Sequence, residues 1–194
     1  MNPVNLPNSL TIARFLAVPV MVWLISEDLL AWAFWLFIAA GVTDALDGFL
    51  ARLLHAHTEI GAYLDPLADK ALLVGVYVTL GYYDHIPSWL VLTVVSRDIF
   101  IVGGAILFEL TIGTWEIQPL YISKVNTVTQ IILASLVLGG PALGLDVSPL
   151  IVIMIWVVAA TTVASGLNYL HEWGIHAQAI RNGHGDSVRT DHEP

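Results

Sequence analysis

Long apolar runs separated by short polar breaks dominate the chain. Six can be drawn, at roughly 8 to 26, 30 to 54, 65 to 83, 87 to 109, 119 to 139 and 148 to 170, each about 19 to 25 residues long and so able to cross a bilayer core as a helix. The pattern predicts an all-α integral membrane protein with six transmembrane helices around a polar cavity. Residues 1–170 form the membrane domain, and 171–194 a polar C-terminal tail expected to be partly disordered. The second and third runs carry carboxylates at the ends facing their shared loop, so these helices are expected to leave the hydrocarbon there or to line a cavity.

Basic residues set the orientation. With the N-terminus inside, the outer loops, about Ser26 to Leu29, Asp84 to Ile86 and Gly140 to Val147, hold no Lys or Arg, while Arg52, Lys70, Lys124, Arg181 and Arg189 fall at or near the inner side. Both termini and the carboxylates are therefore expected to face the cytoplasm, in the setting of a bacterial inner membrane. Met1 to Leu6 lacks a basic leader, so the first apolar run is expected to be retained.

Composition narrows the picture further. At 57% hydrophobic residues and a mean hydropathy of +0.76, the chain is too apolar for an ordinary soluble domain. It has no cysteine, which removes disulfides, thiolate metal sites and thiol nucleophiles. A formal charge of -9 argues against a nucleic-acid partner.

Polar chemistry is concentrated in Gly41 to Lys70, GVTDALDGFLARLLHAHTEIGAYLDPLADK. Asp44 and Asp47 are three apart and Asp65 and Asp69 four apart, so on helices each pair projects from one face. Four carboxylates converging on one point repel one another unless a cation neutralises them. Arg52 and Lys70 alone cannot do so, and an all-oxygen donor set points to a hard divalent ion, magnesium or manganese, with room for two. The competing reading is an ion carrier or a structural polar network.

Several other residues stand out. Asn8 and Thr11 share one face at an expected helix start, where they either cap the helix or bind a ligand. Arg14 follows, to snorkel to lipid phosphate or to act in catalysis. Gly48 and Gly61 would let a pyrophosphate or a base approach the backbone, or let helices pack closely. Arg52 has the planar fork suited to a diphosphate. His55 and His57 read as solvated loop residues. Arg97 is either half of a structural ion pair with Asp98 or a cation lining an acceptor pocket. Lys124 lies near the inner interface, and Asn126 with Gln130 forms a polar stripe suited equally to substrate and to helix packing. Thr161, Thr162, Ser165 and Asn168 read as packing residues.

By spacing, the central stretch is Asp44-x2-Asp47-Gly48-x2-Ala51-Arg52-x8-Gly61-x3-Asp65-x3-Asp69, which resembles the signature of the CDP-alcohol phosphatidyltransferases. The resemblance implies that Asp44, Asp47 and Asp65 hold metal, and that Asp69 helps bind a second ion and accepts the acceptor's hydroxyl proton. It also implies that Asn8, Thr11, Asp44, Gly48, Arg52, Thr58 and Gly61 contact the CDP-alcohol. Leu64 to Lys70, Ser96-Arg97-Asp98 and Ile122 to Thr127 further resemble the mitochondrial-type cardiolipin synthase branch. That branch implies CDP-diacylglycerol as donor and phosphatidylglycerol as acceptor; the alternative acceptor is glycerol 3-phosphate. Arg97, Lys124 and Asn126 are the candidate acceptor contacts, and family analogy implies a homodimer.

Overall fold

The structure is a computed structural model; it describes the backbone of residues 5–54, 59–112 and 121–189, and the side chains of 13–44, 68–104 and 121–171. Six helices account for it: α1 (Asn5–Ser26), α2 (Leu30–Leu54), α3 (Glu59–Tyr82), α4 (Ser88–Ile112), α5 (Tyr121–Leu143) and α6 (Ser148–Arg189). Four of the six expected spans coincide with these helices to within about four residues at each end. The third begins about two turns earlier than expected, because Glu59 and Gly61 interrupt the apolar pattern without interrupting helical hydrogen bonding. For the same reason α6 continues as helix to Arg189, through the region expected to be a partly disordered tail. Asn8 and Thr11 fall inside α1 and do not precede it.

Three of the connections share one chemistry. After α1, Asp28 turns to φ 56° and the Leu29 amide donates back to the Leu24 carbonyl at 2.9 Å; after α3, Asp84 has φ 59° and His85 donates to Leu80 at 2.9 Å; after α5, Gly144 has φ 64° and Leu145 donates to Gly140 at 2.9 Å. Each is a left-handed residue just past the helix end with a six-to-one hydrogen bond, which satisfies a terminal carbonyl and reverses the chain within a few residues. Asp and Gly are among the residues that tolerate that conformation. All three turns lie in the loops expected to be outer.

The helices form a closed ring in the order α1, α3, α4, α6, α5, α2, with α3 also touching α5. Consecutive in sequence, α2 and α3 make no direct contact among the described residues, because α1 lies between them. The core is an apolar seam: Met21 and Ile25 from α1, Ala33 and Phe37 from α2, Leu73, Val76, Tyr77 and Leu80 from α3, Leu90 and Val94 from α4, Leu133 and Leu138 from α5. On α3 these recur every three or four positions, the spacing of one helical face. Glycine brings α5 close to α2, since a Cβ on Gly139 would sit 2.8 Å from the Phe34 ring.

Large apolar side chains also face outward, among them Leu16, Trp32, Leu92 and Trp156. Among the described residues, Tyr121–Leu143 and Ser148–His171 are long and apolar enough to cross a membrane, and Ala13–Ser26 and Leu30–Asp44 form shorter apolar stretches. An all-helical ring with an apolar interior and an apolar exterior fits a helical membrane protein.

Candidate functional site

The ring order decides how the site is built. Asp44 lies on α2 and Asp69 on α3, and the intervening α1 carries Arg14 between them. Arg14 Nη2 meets Asp44 Oδ1 at 2.5 Å, and Nη1 meets Asp69 Oδ1 at 2.6 Å. The second contact is an ion pair whose angle falls outside hydrogen-bond geometry; neither Nη1 nor Nε has a hydrogen-bond partner among the described residues. Arg14 itself is 4% exposed, whereas the Asp44 and Asp69 side chains are 41% and 46% exposed. The guanidinium is thus enclosed behind carboxylates that remain open.

Those carboxylates line a cavity of about 660 Å³ between α2, α3 and α5. Its walls are mostly apolar, with Phe37, Ile38, Leu72, Leu73 and Ile131 among them, and Lys70 and Thr127 add polar atoms. A mostly apolar space lined also by charged groups suits an amphiphile.

Behind this lies a second polar network. Lys70 Nζ pairs with Asp98 Oδ2 at 2.7 Å, and Arg97 Nη1 pairs with Asp98 Oδ1 at 2.8 Å. Arg97 Nη2 donates to Ser123 Oγ at 2.7 Å and also to Ser165 Oγ, and the guanidinium lies 5.9 Å from the centre of the Tyr169 ring. One buried arginine therefore ties α4 to α5 and α6, while Asp98 ties α4 to α3. Further along α5, Asn126 is fully buried, and its Oδ1 accepts hydrogen bonds from Thr161 and Thr162 on α6, each at 2.9 Å.

The sequence-derived candidates divide accordingly. Asp44 and Asp69 come together through Arg14. Asp47, Gly48 and Arg52 lie on α2, Gly61 and Asp65 on α3, and Asn8 and Thr11 on α1, but their side-chain positions are outside the described residues, as is Thr58 altogether. Of the acceptor candidates, Arg97 and Asn126 are buried in helix-to-helix networks and Lys124 is exposed; none of the three lines the cavity. Arg97 and Asn126 find helix-to-helix partners in Ser123, Ser165, Thr161 and Thr162. Lys70 does line the cavity, a placement that sequence spacing did not single out.

The Asp44 and Asp69 oxygens meet one cation from two different helices, and hard oxygen donors are the chemistry a divalent ion takes. No third carboxylate or histidine joins them among the described residues.

Fold and site together describe a helical bundle with carboxylates lining a mostly apolar cavity. A sequence model of the CDP-alcohol phosphatidyltransferases matches residues 4–164, and the chain belongs to that family. It is 36% identical over 195 residues to the chloroplastic CDP-diacylglycerol–glycerol-3-phosphate 3-phosphatidyltransferase 1 of Oryza sativa subsp. japonica, covering 91% of this chain and 58% of that protein. It is 35% identical over 197 residues to the cardiolipin synthase (CMP-forming) of Homo sapiens, covering 93% and 65%. Against the CDP-diacylglycerol–glycerol-3-phosphate 3-phosphatidyltransferase of Bacillus subtilis it is 33% identical over 183 residues, covering 85% and 93%. The chain thus spans about three fifths of the first two relatives. Relatives named for two different reactions match at nearly equal identity, so the comparison gives the family without the particular reaction.

Proposed function

We propose that this protein is a cardiolipin synthase that moves the phosphatidyl group of CDP-diacylglycerol to phosphatidylglycerol, releasing CMP. It would work as six transmembrane helices in a bacterial inner membrane, as a homodimer, with the carboxylates facing the cytoplasm. The observation carrying this reading is the pairing of an apolar cavity with cations that already have partners. Arg14 is held by two carboxylates, Lys70 and Arg97 flank Asp98, and among the described residues Lys70 is the one cation on the cavity wall besides Arg14. A dianionic acceptor such as glycerol 3-phosphate would call for two or more basic groups; a monoanionic lipid needs fewer.

In this reading the acyl chains of an amphiphilic substrate lie along Phe37, Leu72 and Ile131, and its head reaches Asp44 and Asp69. Magnesium or manganese, two ions with Asp47 and Asp65 completing the set, would neutralise the diphosphate and polarise its phosphoryl oxygens. Arg52 would hold a diphosphate oxygen, and Asn8, Thr11, Gly48, Thr58 and Gly61 the nucleotide. Asp69 takes the proton of the acceptor hydroxyl as its oxygen bonds to the phosphatidyl phosphorus. The bond from that phosphorus to CMP breaks, and CMP leaves with the electron pair.

The names of the Oryza and Bacillus relatives support a second reading, with glycerol 3-phosphate as acceptor and phosphatidylglycerophosphate as product. Purified protein given CDP-diacylglycerol, a divalent ion and each acceptor in turn separates them by mass spectrometry of the lipid product. Cardiolipin from phosphatidylglycerol is the expected result; product from glycerol 3-phosphate alone overturns the acceptor assignment. Cation flux into liposomes without nucleotide would favour the carrier reading.

A further inference from the structure

We infer that Arg14 is a tethered counter-ion for the carboxylate site, one that a divalent ion must displace and that is then free to hold a phosphate oxygen of the incoming diphosphate. The inference rests on the proposed metal role of Asp44 and Asp69. Its geometric basis is that one planar guanidinium spans two helices with no contact between them among the described residues, meeting an oxygen of each carboxylate at 2.5 and 2.6 Å. The guanidinium brings one positive charge to two carboxylates and meets each through one oxygen. A divalent ion that takes the same two oxygens must displace the guanidinium and brings twice its charge. Burial keeps Arg14 from water, so it stays beside the carboxylates when an ion takes its place, while their exposure leaves them open to that ion from the cavity side.

A buried guanidinium without its carboxylates needs another anion nearby, since an unpaired buried charge is costly. The substrate diphosphate is such an anion, and the fork geometry of arginine matches its oxygens. Metal and CDP-alcohol should then bind cooperatively, each strengthening the other by the same factor. Arg14 would supply part of that coupling.

The test is Mn²⁺ binding by electron paramagnetic resonance to the full chain in detergent, with and without CDP-glycerol as a soluble diphosphate probe. In the wild type, CDP-glycerol should tighten Mn²⁺ binding. In Arg14→Gln, Mn²⁺ without nucleotide should bind ~10-fold more tightly, and the tightening by CDP-glycerol should shrink. Arg14→Lys, which retains charge but cannot bridge two carboxylates with one planar fork, should show a smaller rise and decides the matter if the Gln variant does not fold. Unchanged or weaker nucleotide-free Mn²⁺ binding in the folded variants, or undiminished coupling, overturns the inference while leaving the metal site standing. Failure of the wild type to bind Mn²⁺ overturns the metal reading itself and this inference with it.

Discussion

Asp98 accepts from cations on both sides, and replacing it by asparagine should destabilise the bundle by an amount that its surroundings allow one to work out. Its side chain is 7% exposed and that of Arg97 6%, while Lys70 is 35% exposed. Removing one partner from a buried pair costs about 3 to 5 kcal/mol, because the remaining charge is left without compensation. Asparagine keeps one carbonyl oxygen, which can still accept from Arg97, but its amide would face the Lys70 ammonium donor to donor. Lys70 can turn partly toward solvent, and Arg97 retains Ser123 and Ser165. These compensations bring the expected loss for Asp98→Asn to about 2 to 3 kcal/mol. For a chain of this size that is a fall in Tm of about 5 to 10 °C, readable by near-ultraviolet circular dichroism in detergent. Lys70→Met should cost about 1 kcal/mol or less, since Asp98 keeps Arg97 and the lost ammonium is partly exposed. Combining the two should cost less than their sum, because the donor-to-donor clash is gone. A fall of under about 2 °C for Asp98→Asn would refute the buried triad and return Arg97 to the role of a free cation.

Asp69→Asn should slow CMP release by about a hundredfold to ten-thousandfold while leaving the circular dichroism spectrum helical; substantial residual turnover would remove its role as base. Asn126→Leu should cost about 1 to 3 kcal/mol in thermal denaturation, because the Thr161 hydroxyl can also bond the Val157 and Val158 carbonyls whereas the buried Thr162 hydroxyl loses its Asn126 acceptor, and it should leave the apparent KM for acceptor unchanged. A selective rise in that KM would restore a substrate role. Gly139→Leu should destabilise by about 1 to 3 kcal/mol through overlap with Phe34, and pairing it with Phe34→Ala should recover part of the loss in the same melt.

Most of the architecture is legible from local features. The polar breaks at Asp28, Asp84 and Gly144 mark positions where the helices end in left-handed caps, and the apolar runs between them are the helices. Helix ends are less legible where polarity changes inside a continuous helix, as at Glu59 and after Leu170, because hydropathy reports the surrounding medium and hydrogen bonding decides the helix. Asp44 and Asp69 stand out because i, i+3 and i, i+4 spacings put pairs of carboxylates on one helical face. Arg97 leaves two alternatives open in the sequence, since its partners Ser123 and Ser165 come from helices far along the chain.

Arg14 shows why the site itself is only half legible. From its position on an apolar helix near the inner interface, snorkelling and catalysis look equally suitable. What decides its surroundings is a long-range fact: α1 inserts between two helices joined by a short link, and so supplies the cation where spacing suggests that α2 and α3 meet directly. The short link constrains only the near ends of α2 and α3, leaving α1 room between the bodies of those helices. An arginine there engages both carboxylates at once, one through each terminal nitrogen. The same insertion opens the cavity, since keeping α2 apart from α3 leaves space that α5 lines along one side without filling. Charge pairing and the apolar volume are thus two consequences of one packing choice.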